Sequence, residues 1–104
     1  MEQKKISIVI PSYNTPEEHL QVLYRSILAQ NYKNFEVIIV DDCSSRDFYD
    51  IITDSRFRVV RMEQNGGPAR CRNTGAAMAS GEAIFFTDSD CELPPDTLCA
   101  VAEG

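Results

Sequence analysis

The sequence predicts an α/β domain built on a largely parallel sheet, and three observations lead there. Four short runs of β-branched and aromatic residues recur along the 104 residues, segments with helical spacing of apolar residues fall between them, and polar, partly acidic loops follow the first, second and fourth runs. Strands alternating with helices at these separations require right-handed crossovers. A mostly parallel sheet covered on both faces also makes near-continuous apolar strands expected.

The first strand is expected over residues 6–10, the second over 35–40, the third over 58–62 and the fourth over 83–87. Between the first two, Leu20, Leu23, Tyr24, Ile27 and Leu28 recur at helical spacing. Thr15, Pro16 and Glu18 precede them as a start signal that fits a capping box. A shorter helix is expected over residues 46–54. A third is expected over 68–80, with Cys71, Thr74, Gly75 and Met78 on one face and Gly81 as its C-terminal cap. A last helix is expected to begin near Pro95.

Composition bounds the function. With 43% hydrophobic and 25% charged residues, the chain reads as one globular domain spanning residues 1–104. Ten basic against sixteen acidic residues give a net charge of -6, which excludes general electrostatic attraction to nucleic acid or anionic lipid. Any anionic ligand must be held locally. Cys43, Cys71, Cys91 and Cys99 form no CxxC pair or zinc-like spacing, and His19 is the only histidine, so a reduced, cytoplasmic chain is expected. His19 itself reads as a solvated surface residue, and Tyr24, Tyr32 and Tyr49 read as packing. Residues 6–10 are far too short to span a membrane.

Open parallel sheets bind ligands beyond the carboxyl ends of their strands. Three loops fall there: Pro11-Ser12-Tyr13-Asn14, Asp41-Asp42-Cys43-Ser44-Ser45 and Asp88-Ser89-Asp90. In a locally extended backbone Asp88 and Asp90 would turn to the same side and could share one hard cation such as Mn²⁺ or Mg²⁺. Asp-x-Asp after a strand also serves as a turn or helix cap. Asp42 could accept from a nucleobase N–H or a ribose hydroxyl, or it could, like Ser44, cap the following helix. The glycine turn Asn65-Gly66-Gly67 leads into a helix carrying Arg70 and Arg72, a natural partner for phosphate or a base carbonyl. These two arginines cannot both face the same way. No GxGxxG follows the first strand, which argues against a dinucleotide oxidoreductase.

In order along the chain, five motifs resemble the amino-terminal half of family 2 glycosyltransferases. They are Ser7-Ile8-Val9-Ile10-Pro11-Ser12-Tyr13-Asn14, Gln30-Asn31-Tyr32, Phe35-Glu36-Val37-Ile38-Ile39-Val40-Asp41-Asp42, Asn65-Gly66 through Gly75, and Ser80-Gly81-Glu82 through Asp88-Ser89-Asp90. The resemblance implies a three-layer α/β/α, Rossmann-like nucleotide-diphospho-sugar transferase fold of the glycosyltransferase A type, truncated, with sheet order 3-2-1-4. It implies an inverting, hexosyltransferase-type reaction from a nucleoside-diphosphate sugar, UDP-linked by expectation, to a hydroxyl acceptor that is lipid-linked or a polysaccharide of the cell envelope. Pro11 and Tyr13 would line the nucleoside pocket, Asp42 would meet the base, and Arg72 would lie beside base or phosphate. Asp88, Ser89 and Asp90 would serve ribose and diphosphate, with Mn²⁺ or Mg²⁺ on Asp88 and Asp90, while Asp41 supports its turn.

No catalytic residue is assigned, because in this family the general base lies downstream, beyond Gly104. The full-length protein is then expected in the cytoplasm, at the inner face of the membrane. The fragment alone is expected to bind donor weakly, to transfer nothing, and to self-associate through apolar surface left uncovered. Cys43 and Cys71 stand where the family commonly has Gly and Ala, and both are expected to be packed rather than catalytic. Two other readings differ in class. A nucleotidyltransferase-like domain would need a glycine-rich phosphate loop after the first strand, which Pro11-Ser12-Tyr13-Asn14 does not supply. A non-catalytic nucleotide-binding or interaction module would need no base at all.

Overall fold

A computed structural model of the chain describes residues 4–103. Its elements are β1 (Ile6–Ser12), α1 (Glu17–Leu28), β2 (Phe35–Asp41), β3 (Phe57–Arg61), α2 (Pro68–Met78), β4 (Ala83–Phe86) and α3 (Thr97–Glu103), with a 3₁₀ turn at Tyr49–Ile51. Every strand pairing is parallel and the order is β3-β2-β1-β4, as the resemblance implies.

The period of two along each central strand divides the core into two layers. Ile6, Ile8 and Ile10 of β1 and Phe35, Val37 and Ile39 of β2 meet Leu23 and Ile27 of α1 and Leu98 of α3. On the opposite face Ile38 and Val40 meet Cys71 of α2. Both faces of β1 and β2 are therefore apolar. The edge strands are covered less completely: Val59 is 39% exposed, Ile84 41% and Phe86 45%. Ala83 and Phe85 turn to the α1/α3 layer, which leaves Ile84 and Phe86 on the side of α2. That helix packs on β1 and β2.

Buried polar side chains fix the ends of the sheet. Gln30, fully buried, donates to the Pro94 carbonyl at 2.7 Å and accepts from the Leu98 N–H at 3.0 Å, while Ser26 Oγ accepts from the Leu93 N–H at 3.1 Å. The segment after β4 is thereby tied to α1. Beneath the sheet Glu36 accepts from Ser7 Oγ and from the Ser80 N–H at 2.7 Å. Burial opposes ionisation of Glu36, but the bonds from Ser7 and Ser80 and the nearby Lys5 ammonium outweigh it and hold the carboxyl below its usual range.

Four local expectations fail, each for a physical reason. Residues 46–54 form one 3₁₀ turn instead of a helix. Ile51, Ile52 and Thr53 form a β-branched run unfavourable to helix, and the Thr53 and Asp54 N–H groups donate to the Tyr24 hydroxyl, each at 3.1 Å. Thr15 does not cap α1, whose N-cap is Pro16 with no side-chain bond; its hydroxyl turns toward Ser12 and Ser89. Gly81 is not the cap of α2, which ends at Met78 before Ala79. Gly81 is small because a Cβ there would lie 2.6 Å from Ser7 Oγ and 2.7 Å from the Lys5 carbonyl. Finally, Cys43 is exposed rather than packed, with φ of 61°. The backbone there occupies the region that suits glycine, so the departure from Gly costs strain rather than filling a core.

Gly75 sets the distance between α2 and β1. A Cβ at that position would sit well inside contact with Val9 Cγ1 and 3.2 Å from Val40 Cγ2, and both neighbours are stiff, buried strand residues. Gly75→Ala is therefore expected to lower stability by about 1–3 kcal/mol through overpacking, although it improves helix propensity. In a double-mutant cycle read by urea denaturation, Val9→Ala should recover part of that loss; strict additivity would sink this account.

Acid should also weaken the fold. Glu36, the buried Asp41 and Asp54, the last held down to about 2 by Arg56, all titrate below their unfolded values. In the acid range the unfolded chain binds more protons, so stability is complete above about pH 5 and falls as pH drops through about 4 toward 2. Urea midpoints that stay level from pH 7 to pH 3 would contradict this.

Candidate functional site

The parallel sheet brings the carboxyl ends of β1, β2 and β4 to one rim, and two adjoining clefts lie there. The first, of about 290 Å³, is lined by Pro11, Ser12, Tyr13, Thr15, Pro16, His19, Pro68, Asp88, Ser89 and Asp90. The second, of about 230 Å³, is lined by Pro11, Arg72, Phe86, Thr87, Asp88 and Cys91. Pro11 and Asp88 belong to both. Of the residues singled out in sequence, Pro11, Tyr13, Arg72, Asp88, Ser89 and Asp90 thus meet at this rim. Arg72 faces it, while the Arg70 side chain lies against Gly66.

Asp42 does not line either cleft. It is buried, and its two oxygens accept from the N–H groups of Gly66 at 2.7 Å and Gly67 at 2.9 Å. Asn65 adds a bond to the Asp42 carbonyl at 3.2 Å. The carboxylate therefore fastens the end of β2 to the turn that starts α2, where Gly67 takes φ of 88°. Neither Asp42 nor Ser44 caps a following helix.

A line of hydroxyls supports the rim from behind. Asp41 is fully buried and accepts from the Ser44 N–H at 2.9 Å, from Ser44 Oγ and from the Tyr49 hydroxyl. Burial opposes its charge, but these hydrogen bonds and the Arg61 guanidinium, 3.8 Å away, depress its pKa overall. Burial and the adjacent carboxylate push the Tyr49 phenol upward, so it keeps its proton. Tyr49 Oη is 2.8 Å from Ser12 Oγ, Ser12 Oγ is 2.9 Å from Thr15 Oγ1, and Thr15 Oγ1 is 2.7 Å from Ser89 Oγ. Because the phenol has one proton and a carboxylate can only accept, the order that satisfies every group runs from Ser89 through Thr15 and Ser12 to Tyr49 and Asp41. Asn14, at φ of 48°, joins the first two loops: its N–H donates to Ser44 Oγ at 2.8 Å and its Oδ1 accepts from the Ser45 N–H at 3.0 Å.

The acidic motif sits in a turn and not in extended chain. The Cys91 N–H reaches the Asp88 carbonyl at 3.3 Å, which folds the fourth residue back on the first. The ligand atoms of Asp88, Asp90 and Cys91 lie within 4.8 Å of one another, both acids being exposed and the thiol half-buried. Carboxylate oxygens so placed fit a divalent cation with room for ligand oxygens.

Sequence reasoning passed over several rim residues. His19 is exposed, as expected, but lines the first cleft because it stands in the first turn of α1. Thr15 carried only a helix-start signal, and Cys91 no motif of its own. Cys71, as expected, is buried; burial first, then Asp42, pushes its thiol up to about 11, leaving it protonated and inert. Tyr24 packs edge-on against Phe57 with ring centroids 4.9 Å apart. Among the described residues no helix is long and apolar enough to cross a membrane.

Known proteins resemble this chain in sequence and fold. The glycosyltransferase GlyG of Streptococcus pneumoniae is 41% identical over 90 residues, covering 82% of this chain and 30% of that protein. The poly(ribitol-phosphate) beta-N-acetylglucosaminyltransferase TarS of Staphylococcus aureus is 36% identical over 101 residues, 90% of this chain and 18% of TarS. The crystal structure of TarS residues 1-349 in complex with UDP-GlcNAc superposes with a TM-score of 0.86 at 34% identity, covering 95% of this chain and 30% of that one. A further structure of the same TarS segment, with UDP, gives 0.85. The chain spans less than two fifths of the length of the curated relatives it matches. The family model for glycosyl transferase family 2 matches residues 7–104, and with the fold and the ordered motifs it establishes that this chain belongs to that family.

Proposed function

We propose that this chain forms the donor-binding part of an inverting glycosyltransferase that takes a UDP-linked hexose and transfers it to a hydroxyl acceptor. The observation that carries the reading is the convergence of Pro11, Tyr13, Arg72, Asp88, Ser89 and Asp90 on adjoining clefts at one rim. The likeness to TarS, whose structure is described in complex with UDP-GlcNAc, supports it.

In this reading Pro11 and Tyr13 form the nucleoside wall. Asp42 meets the base with the lone pairs that the two glycine N–H groups leave, and Arg72 offers a planar, fixed cation to base or phosphate. Ser89 has committed its proton to Thr15 and so accepts from a ribose hydroxyl. Asp88 and Asp90 hold Mn²⁺ or Mg²⁺. Such an ion, when bound, offsets the charge that develops on the diphosphate leaving group. The acceptor, a lipid-linked or cell-envelope polysaccharide hydroxyl, must lose a proton, and we place the carboxylate that takes it downstream of Gly104. The whole protein then works in the cytoplasm at the inner membrane face, where activated donors and lipid-linked acceptors meet.

UDP titrations with Mn²⁺ test the reading. Asp88→Asn combined with Asp90→Asn should weaken binding at least about tenfold, and Arg72→Ala should lose about 1.5–3 kcal/mol, the worth of a charged hydrogen bond. Binding that ignores both Mn²⁺ and the two aspartates would overturn the metal-dependent mechanism. We also propose self-association of residues 1–104 through the edge strand β4, where Ile84 and Phe86 are exposed. Light scattering should show mass rising with concentration and Ile84→Lys suppressing it; a strictly monomeric chain at high concentration would end that proposal.

A further inference from the structure

The turn that presents Asp88 and Asp90 presents a thiol with them. Among the described residues Asp88, Asp90 and Cys91 form the one group of three acidic, thiol or imidazole side chains close enough to share an ion. Their ligand atoms lie within 4.8 Å of one another. Donors on a common ion at the usual metal–sulfur and metal–oxygen distances can be no more than about 4.5 Å apart. The remaining few tenths of an ångström lie within the reach of two exposed aspartates. We propose that Cys91 is a third protein ligand of the cation held by Asp88 and Asp90, so that this site accepts thiophilic divalent ions such as Zn²⁺, Cd²⁺ and Co²⁺ as well as hard ones. The inference rests on the reading that those two aspartates hold a cation.

Three features favour Cys91 over the other cysteines. Its Sγ lies 4.0 Å from Asp90 Oδ1, so the thiol is directed at the carboxylates. The side chain lines the second cleft beside Asp88 and Arg72, which gives an ion a route from solvent. Cys71 by contrast is sealed in the α2 layer, Cys43 points to the Glu63 carbonyl at 3.7 Å, and Cys99 packs against the main core. On binding, the thiol proton passes to solvent and a metal–sulfur bond forms. Two carboxylates and one thiolate leave open positions on the ion for diphosphate oxygens, as a working site requires. Two carboxylates alone select hard ions; adding sulfur shifts the preference toward borderline and soft ones.

Co²⁺ and Mn²⁺ titrations of the intact protein separate this inference from the reading beneath it. The wild-type protein and a Cys43→Ser control should each develop a near-ultraviolet thiolate-to-cobalt charge-transfer band that saturates at one metal per chain. Cys91→Ser, checked for folding by circular dichroism, should lack the band and bind Cd²⁺ at least about tenfold more weakly, while Mn²⁺ affinity changes less than about threefold. In wild-type protein, where no substitution can disturb the fold, Cd²⁺ should slow alkylation of Cys91 by about tenfold and leave Cys43 unaffected, as read by mass spectrometry. Absence of the band in wild-type protein, its survival in Cys91→Ser, or unprotected alkylation overturns the role of Cys91. If Mn²⁺ binding, followed by electron paramagnetic resonance, persists unchanged in the Asp88→Asn, Asp90→Asn protein, the shared metal site itself fails.

Discussion

A charged carboxylate, Asp41, lies fully buried at the carboxyl end of β2, and the geometry of the rim depends on satisfying it. An unpaired buried carboxylate is costly enough to protonate or unfold its surroundings. Here two bonds from Ser44, one from Tyr49 and the proximity of Arg61 keep it ionised. Those requirements reach outward. Tyr49 must point inward, which draws residues 46–54 away from helix. Ser44 must sit under the turn, which places its hydroxyl where the Asn14 N–H can donate. Through Ser12 and Thr15 the same polarity reaches Ser89. Three loops that are distant in sequence are therefore held by one buried charge.

The layout of the fold was legible because its causes are local and repetitive. Uninterrupted apolar runs at residues 35–40 and 6–10 announce strands buried on both faces, and the helical spacing of Leu20, Leu23 and Ile27 announces the helix that covers them. Parallel pairing follows from the alternation. The misreadings share a different origin. Thr15 and Gly81 each carry a local signal for one role and have a distant partner that imposes another: Ser89 for Thr15, Ser7 for Gly81. Side-chain hydroxyls and glycines are ambiguous for this reason. A cap, a relay and a close approach use the same atoms, and only the third dimension decides between them.

The rim divides along the same line. Several rim residues were readable: Asp88 and Asp90 stood out by residue type and position, the family resemblance singled out Pro11 and Arg72, and all four line the clefts. Asp42 was assigned a ligand, and the structure gives its oxygens to two glycine N–H groups. A strand-end carboxylate can serve a backbone turn and a ligand together, having more lone pairs than two donors consume. Cys91 escaped notice because an extended Asp-x-Asp segment would send the next side chain to the opposite face. The turn at Asp88 brings it back.

The rim is also uneven in stiffness, and that bears on how it could receive a charged ligand. Ser89 is tethered through Thr15 to the buried network, whereas the flanking carboxylates of Asp88 and Asp90 are exposed. The segment beyond them is fixed again where Gln30 and Ser26 grip Leu93, Pro94 and Leu98. The backbone of the turn is thus clamped on both sides while its two carboxylates stand exposed. Two like charges held close would repel each other and favour separated rotamers unless a cation, as proposed above, bridged them. Were a cation to bind as proposed, the clamped backbone would leave only a few side-chain torsions to be ordered, which keeps the entropic cost small. A buried charge on one strand and a tethered serine on another loop together hold the backbone that presents the exposed acidic pair.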